Sequence, residues 1–233
     1  MCNIDNFQDF CDALRETGFS TGNENSGGIF TLLVKKEDTD LGISDRIHWH
    51  TEDPETDPWE WRMRVLTECQ DIAYAKLFFN KSGYITKEWY PYFLAARRKG
   101  KAFEEMYEDG MISNCARQIY QLLADHKVLP LHEIKDMTGF GKEDKSKFDR
   151  ALTELQMKML ITMCGQRQKL SFQGEKYGWH STVFCLTEDF FDADVYASAS
   201  AITPSAAEEH IRQRILQLNV HADKKKITKF IFG

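Results

Sequence analysis

No apolar run in this 233-residue sequence approaches the ~20 residues that a membrane-crossing helix needs. The sequence also lacks any C-x-x-C pair. Its six cysteines, Cys2, Cys11, Cys69, Cys115, Cys164 and Cys185, are scattered, which argues against a disulfide scaffold and against a zinc site built on paired thiols. There is no Gly-rich phosphate loop, no H-E-x-x-H, no G-x-S-x-G and no zinc-deaminase pattern, so the signatures of those enzyme classes are missing. No internal repeat of useful length occurs. The opening residues Met1-Cys2-Asn3-Ile4-Asp5 are acidic and lead into no apolar stretch, so they do not read as a secretory signal. The expectation is reduced thiols in a cytoplasm, with no membrane partner, no metal and no cofactor.

What is present has the composition of a folded protein, 42% hydrophobic and 28% charged, which excludes wholesale disorder. The net charge of -6 is unevenly spread along the chain. Residues 1–110 hold 13 Lys and Arg against 21 Asp and Glu, residues 111–191 hold 11 against 10, and residues 192–233 hold 6 against 5. The first stretch should repel phosphate backbones, whereas the near-neutral remainder permits nucleic-acid binding.

Local pattern predicts an α+β chain. Phe7, Phe10, Cys11 and Leu14 fall at helical spacing. Residues 18–28 read as a loop, Ile29 to Val34 as a strand, 35–44 as a charged turn, and Arg46 to His50 as a second strand. Asp57 and Pro58 open a helix that carries Trp61, Val65 and Leu66 inward, with Glu60 placed to close a capping box. Ile72 to Phe79 favours a strand, and short helices are expected over Tyr92 to Arg98 and Ala102 to Tyr107.

The second half carries a clearer order. Ser113 caps a helix with Ala116, Ile119, Tyr120, Leu122 and Leu123 inward; a short helix follows over Leu131 to Met137. A third helix spans Lys142 to Met159, with Phe148, Leu152, Leu155 and Met159 in one apolar stripe. Two β-like segments, 160–164 and 182–186, flank a polar tongue over 165–181. Three helices followed by a two-stranded wing is the winged-helix order. The expected organisation is an N-terminal α+β region at 1–110 packed against a winged-helix domain at 111–191. A small-residue linker and a C-terminal helix and tail follow at 192–233.

Candidate functional residues follow from this placement. The third helix would offer Lys142, Lys145, Lys147, Arg150, Thr153, Gln156 and Lys158 outward, residue types that contact phosphates and base edges. Glu143, Asp144, Asp149 and Glu154 are interleaved with them, and a protein-interaction role stays open. The tongue brings Arg167 and Lys169, with Tyr177 and Trp179 on its return, either to stack on bases or as a plain hairpin with a packed Trp179. His48 and His50 alternate along the expected strand and, with Glu52 or Asp53, would form part of a metal site or lie at the surface. The acids of Asp57-Pro-Trp-Glu-Trp-Arg62 are either a cap or a pocket pair, and its two Trp residues are core anchors or pocket walls. The aromatic cluster Tyr84, Trp89, Tyr90, Tyr92 and Phe93 poses the same choice between core and pocket.

Asp57-Pro-Trp-Glu-Trp-Arg62, Ile72-Ala-Tyr-Ala-Lys-Leu-Phe-Phe79 and Trp89-Tyr-Pro-Tyr-Phe93 together resemble a group of bacterial proteins related to the AlkZ-type DNA glycosylases. Phe148-Asp-Arg-Ala-Leu-Thr-Glu-Leu155 is similar to the third helix of their winged-helix units, and the resemblance spans about residues 45–190. It implies tandem winged helices, duplex DNA as partner and a link to DNA repair by removal of alkylated bases. In that family a Gln-x-Gln or Gln-x-Asp pair activates the attacking water. Gln166-Arg167-Gln168 matches in letters, but Arg167 stands where the family has an apolar residue, and the pair falls later in the chain. Three functions are therefore expected: nucleic-acid binding through Lys145, Lys147, Arg150, Arg167 and Lys169; base excision through Gln166 and Gln168; or a protein-interaction module with an unknown partner.

Overall fold

The computed structural model describes residues 3–23, 28–35, 42–171 and 173–233. Cys2, Phe172 of the tongue, and parts of the loop expected at 18–28 and of the charged turn expected at 35–44 lie outside the described residues. In chain order the elements begin α1 (Phe7–Thr17), β1 (Phe19–Thr21), α2 (Pro58–Glu68), β2 (Ile72–Phe78), β3 (Lys81–Thr86) and α3 (Tyr90–Arg98). They continue α4 (Phe103–Glu108), α5 (Asn114–His126), β4 (Val128–Pro130), α6 (Leu131–Thr138) and α7 (Lys145–Met157). The last are β5 (Ile161–Leu170), β6 (Lys176–Leu186), α8 (Ala193–Ser200), α9 (Pro204–Leu218) and α10 (Lys224–Phe232). The result is a mixed α+β protein with two antiparallel sheets of three strands, ordered β1-β3-β2 and β4-β6-β5. The chain divides into two compact units, Met1–Gly100 with Ala193–Gly233, and Lys101–Asp192.

In the first unit α1 starts where the Asn6 side chain accepts the Asp9 N–H, and it ends at Gly18, whose φ is 91°. Glycine is required there twice over, because the positive φ disfavours a side chain and a Cβ would lie 2.2 Å from the Trp89 ring. The sheet packs an aromatic core. Phe10 stacks on Trp61 at 4.9 Å and meets Tyr84 edge-on at 5.2 Å. Phe230 stacks on Phe78 at 3.9 Å and touches Phe19 and Phe93. The fully buried Arg97 donates to the Ile231 carbonyl at 2.7 Å and the Phe230 carbonyl at 2.9 Å, so it meets the negative end of α10. Burial pulls its guanidinium down to about 9, which still leaves it charged at neutral pH.

Several expectations for this unit are corrected. Ile29 to Val34 forms no strand. Its polar groups bond irregularly to β1, with Leu32 N–H donating to Ser20 Oγ at 2.9 Å and Thr21 Oγ1 donating to the Phe30 carbonyl at 2.9 Å. Arg46 to His50 is not a strand either, because His50 and Glu52 take φ values of 62° and the chain there wraps around the Asp57 carboxylate. That buried carboxylate accepts the N–H groups of His50, Thr51, Glu52 and Trp59 at 2.8–3.1 Å, so Asp57 caps α2 and also pins the preceding loop. The expected linker after residue 192 is helical, as α8, and the expected tail is α10, whose Ile227, Phe230 and Ile231 are buried. Trp61 is a core anchor, but Trp59 is 45% exposed, with the Arg62 guanidinium 3.2 Å above its ring. The return of residues 193–233 to the first unit also redistributes charge. The first unit holds 18 basic and 21 acidic residues and the second 12 and 15, so the acidity is shared in space.

In the second unit the Ser113 hydroxyl caps α5 by accepting the Ala116 N–H. Glu154 on α7 accepts from the Ser113 N–H at 3.0 Å and hydroxyl at 2.8 Å, which locks the start of α5 to α7. Phe148, Leu152 and Leu155 are buried on α7, and Met159 just beyond it. The stripe is wider than expected. Gln156 is also fully buried and donates its amide to the Leu152 carbonyl at 2.9 Å, so it does not offer itself outward. The tongue is β-structure for most of its length, and β5 and β6 form one long hairpin with register shifts between Met163 and Gly165 and between Arg167 and Lys169.

Candidate nucleic-acid interface

The β5–β6 hairpin is buried at its base and bare toward its turn. Ile161, Thr162, Met163, Val183, Phe184, Cys185 and Leu186 are buried, whereas Leu170, Tyr177 and Trp179 are 58%, 52% and 89% exposed. An apolar ring left in water forgoes roughly 2 kcal/mol of burial, so nothing in the packing of this unit explains Trp179. The packed Trp179 allowed by the sequence is thereby overturned.

Gln168 sits at the second register shift and donates its amide to the Tyr177 carbonyl at 3.0 Å and the Gly178 carbonyl at 3.2 Å. Opposite it Gly178 takes a φ of 61°, so the side chain spans a kinked strand pair. Gln166 is exposed two residues earlier on β5, paired in register with Thr182. Arg167 is exposed and 3.5 Å from Glu133 on α6, while Lys169 lies opposite Tyr177. On α7, Lys145, Lys147 and Arg150 are exposed. Lys147 pairs with Asp144 at 2.8 Å, and this hydrogen bond raises its pKa further. Arg150 donates to the Ser146 carbonyl at 3.2 Å. Both ion pairs, Lys147–Asp144 and Arg167–Glu133, are solvent-exposed and screened, so a phosphate can displace either carboxylate. The Lys142 side chain lies outside the described residues.

The first unit holds a cleft that sequence reading missed. It has a volume of about 630 Å³ and is lined by Arg15, Asp71, Lys87, Tyr92, Asp194 and Ser198, among others. Arg15 grips Asp71 through two bonds of 2.7 and 3.2 Å, and chiefly through that bonding it holds the Asp71 carboxyl below its usual range. Next to it His210 stacks on Trp89 at 4.8 Å and on Tyr92 at 4.2 Å. Of the aromatic cluster, Tyr84, Trp89, Tyr90 and Phe93 are core, and Tyr92 lines the cleft. The walls come from α1, the residues flanking β2 and β3, α3 and α8, segments too far apart in sequence for any motif to join them. The aromatic cluster around Tyr92 is the sequence signal that points to it.

The histidine pair fares differently. His48 and His50 are exposed on a loop, and the His50 ring lies 4.9 Å from Trp59. Among the described residues no group of three or more His, Cys, Asp or Glu side chains is placed to hold a metal ion, and no helix is long and apolar enough to cross a membrane.

No curated protein and no solved structure matches the chain. The AlkZ-related family matches it over residues 4–232, well beyond the 45–190 stretch on which the resemblance rests, so both units fall within the match. The chain belongs to the AlkZ-related family.

Proposed function

We propose that the protein binds nucleic acid, with Lys101–Asp192 acting as a winged helix that meets duplex DNA through α7 and the β5–β6 hairpin. The observation that carries this reading is the bare outer half of the hairpin, where Trp179 on β6 is 89% exposed and Arg167 and Lys169 lie on the facing strand β5. The order of α5, α6, α7 and a hairpin supports a winged helix, and membership of the AlkZ-related family supports DNA as the partner. In this reading Lys145, Lys147, Arg150, Arg167 and Lys169 contact phosphates, while Trp179 and Tyr177 stack on bases.

The test is fluorescence anisotropy of a labelled duplex at several salt concentrations. Wild type should bind saturably with an affinity that falls steeply as salt rises. The Arg167→Glu/Lys169→Glu protein should bind at least about tenfold more weakly and with a shallower salt slope. Unchanged affinity in that variant removes the hairpin from the interface. Absence of binding at low salt removes nucleic acid altogether and leaves a protein-interaction module.

The family resemblance also offers Gln166 and Gln168 as the pair that orients water in base excision. The amide nitrogen of Gln168 is engaged with hairpin carbonyls, so the role would fall to its oxygen. Alkali-labile sites in alkylated duplex, formed by wild type and not by Gln166→Ala, would establish the activity.

A further inference from the structure

Four of the six cysteines, which look unrelated in sequence, meet in pairs. Cys164 and Cys185 share a hydrogen bond across β5 and β6. Cys11 on α1 and Cys69 at the end of α2 are 58 positions apart, yet their sulfurs lie 3.3 Å from each other. Both are buried, at 1% and 7% exposure. One turn along α1 from Cys11, Arg15 grips Asp71, two residues beyond Cys69, so an ion pair clamps the segments that carry the two thiols. A disulfide bond is about 2.05 Å long, and a pair already in contact needs only a small approach to close it.

The surroundings divide the labour. The hydrogen bond from Cys11 holds the Cys69 thiol below its ordinary pKa, and the Arg15 charge adds to this against the opposing effect of burial. The same hydrogen bond, with burial, pushes Cys11 up. Cys69, at the end of α2 and the more accessible of the two at 7% against 1% exposure, is placed to react first, with Cys11 as the resolving thiol. Arg15 and Asp71, the ion pair beside the two thiols, also line the 630 Å³ cleft.

We propose that Cys11 and Cys69 form an oxidation site that a hydroperoxide converts into a reversible disulfide. The Cys69 thiolate attacks one peroxide oxygen, the O–O bond breaks, and the departing hydroxide takes a proton to become water. Cys69 then carries a sulfenic acid. The Cys11 sulfur attacks the Cys69 sulfur, the S–O bond breaks, and a second water leaves with the Cys11 proton. Two thiols and one hydrogen peroxide give one disulfide and two waters, with two electrons passing from sulfur to peroxide. Cys115, half-buried on α5, serves as the internal control.

The experiment is peptide mapping of the whole chain. Reduced protein is exposed to a small molar excess of hydrogen peroxide, alkylated with iodoacetamide, digested without reductant and analysed by mass spectrometry. The expected product is a linked peptide pair carrying Cys11 and Cys69, two hydrogens lighter than its parts and abolished by dithiothreitol, while Cys115 remains alkylated. The Cys11→Ser protein should carry a dimedone-trappable sulfenic acid at Cys69. Full alkylation of both Cys11 and Cys69, a sulfinic acid at Cys69 without any disulfide, or linkage only between Cys164 and Cys185 would each overturn the proposal. The linked peptide is read from wild type, so the result does not depend on the variant folding.

Discussion

The two sheets have the same number of strands and the same antiparallel order, with the last of their three strands in sequence at the centre, but their exposure differs. In the first unit β2 is buried along nearly its whole length, and β3 runs from an exposed start at Lys81 to four buried residues. In the second, β6 opens with five exposed residues before its buried half begins. A strand with both faces covered is explained by stability alone. A strand that carries Tyr177 and Trp179 into water is not, and that outer half is where function is to be sought.

The largest expected effect falls on the buried core around the first sheet. Phe230→Ala removes a ring stacked on Phe78 within the core of the first unit and should cost about 3–5 kcal/mol in urea unfolding. A loss below about 1 kcal/mol would mean that α10 is not part of that core. Within the hairpin, Gln168→Ala deletes the amide that bridges the register shift and should cost about 1 kcal/mol, seen as faster amide exchange confined to residues 165–180. The smallest effect belongs to the exposed Arg15–Asp71 pair, whose side chains are 40% and 42% exposed. Asp71→Asn should cost under about 1 kcal/mol at neutral pH. Because the folded Asp71 has a lowered pKa, its contribution is complete above the ordinary carboxylate value and is lost as pH falls through the lowered one. Wild type and variant should therefore differ near neutrality and converge in acid; a gap that widens on acidification contradicts the assignment.

Legibility from sequence followed how local the cause was. Caps and stripes were readable because each is set within a turn or two: Asp57 and Ser113 at helix starts, Phe148, Leu152 and Leu155 along α7. Ile29 to Val34 has strand composition, but its partners are the Ser20 and Thr21 side chains on β1, and composition does not encode partners. His48 and His50 were misplaced because the buried Asp57, several residues downstream, dictates the backbone there. The run after residue 192 looked like a linker because Ala and Ser are small, yet small residues also form helices, and Val195 buries its face. The candidate interface residues were readable one by one as charges and aromatics. Whether Trp179 is packed or exposed depends on tertiary contacts, and only the fold decides it.

The most direct test of the contrast between the sheets is the duplex affinity of the Trp179→Ala protein, measured by anisotropy near ~0.1 M salt. Base stacking on an aromatic side chain contributes roughly 1–3 kcal/mol, so affinity should fall by about tenfold. An affinity equal to that of wild type would contradict the account, because the exposed ring would then serve neither the packing of its unit nor the binding of DNA.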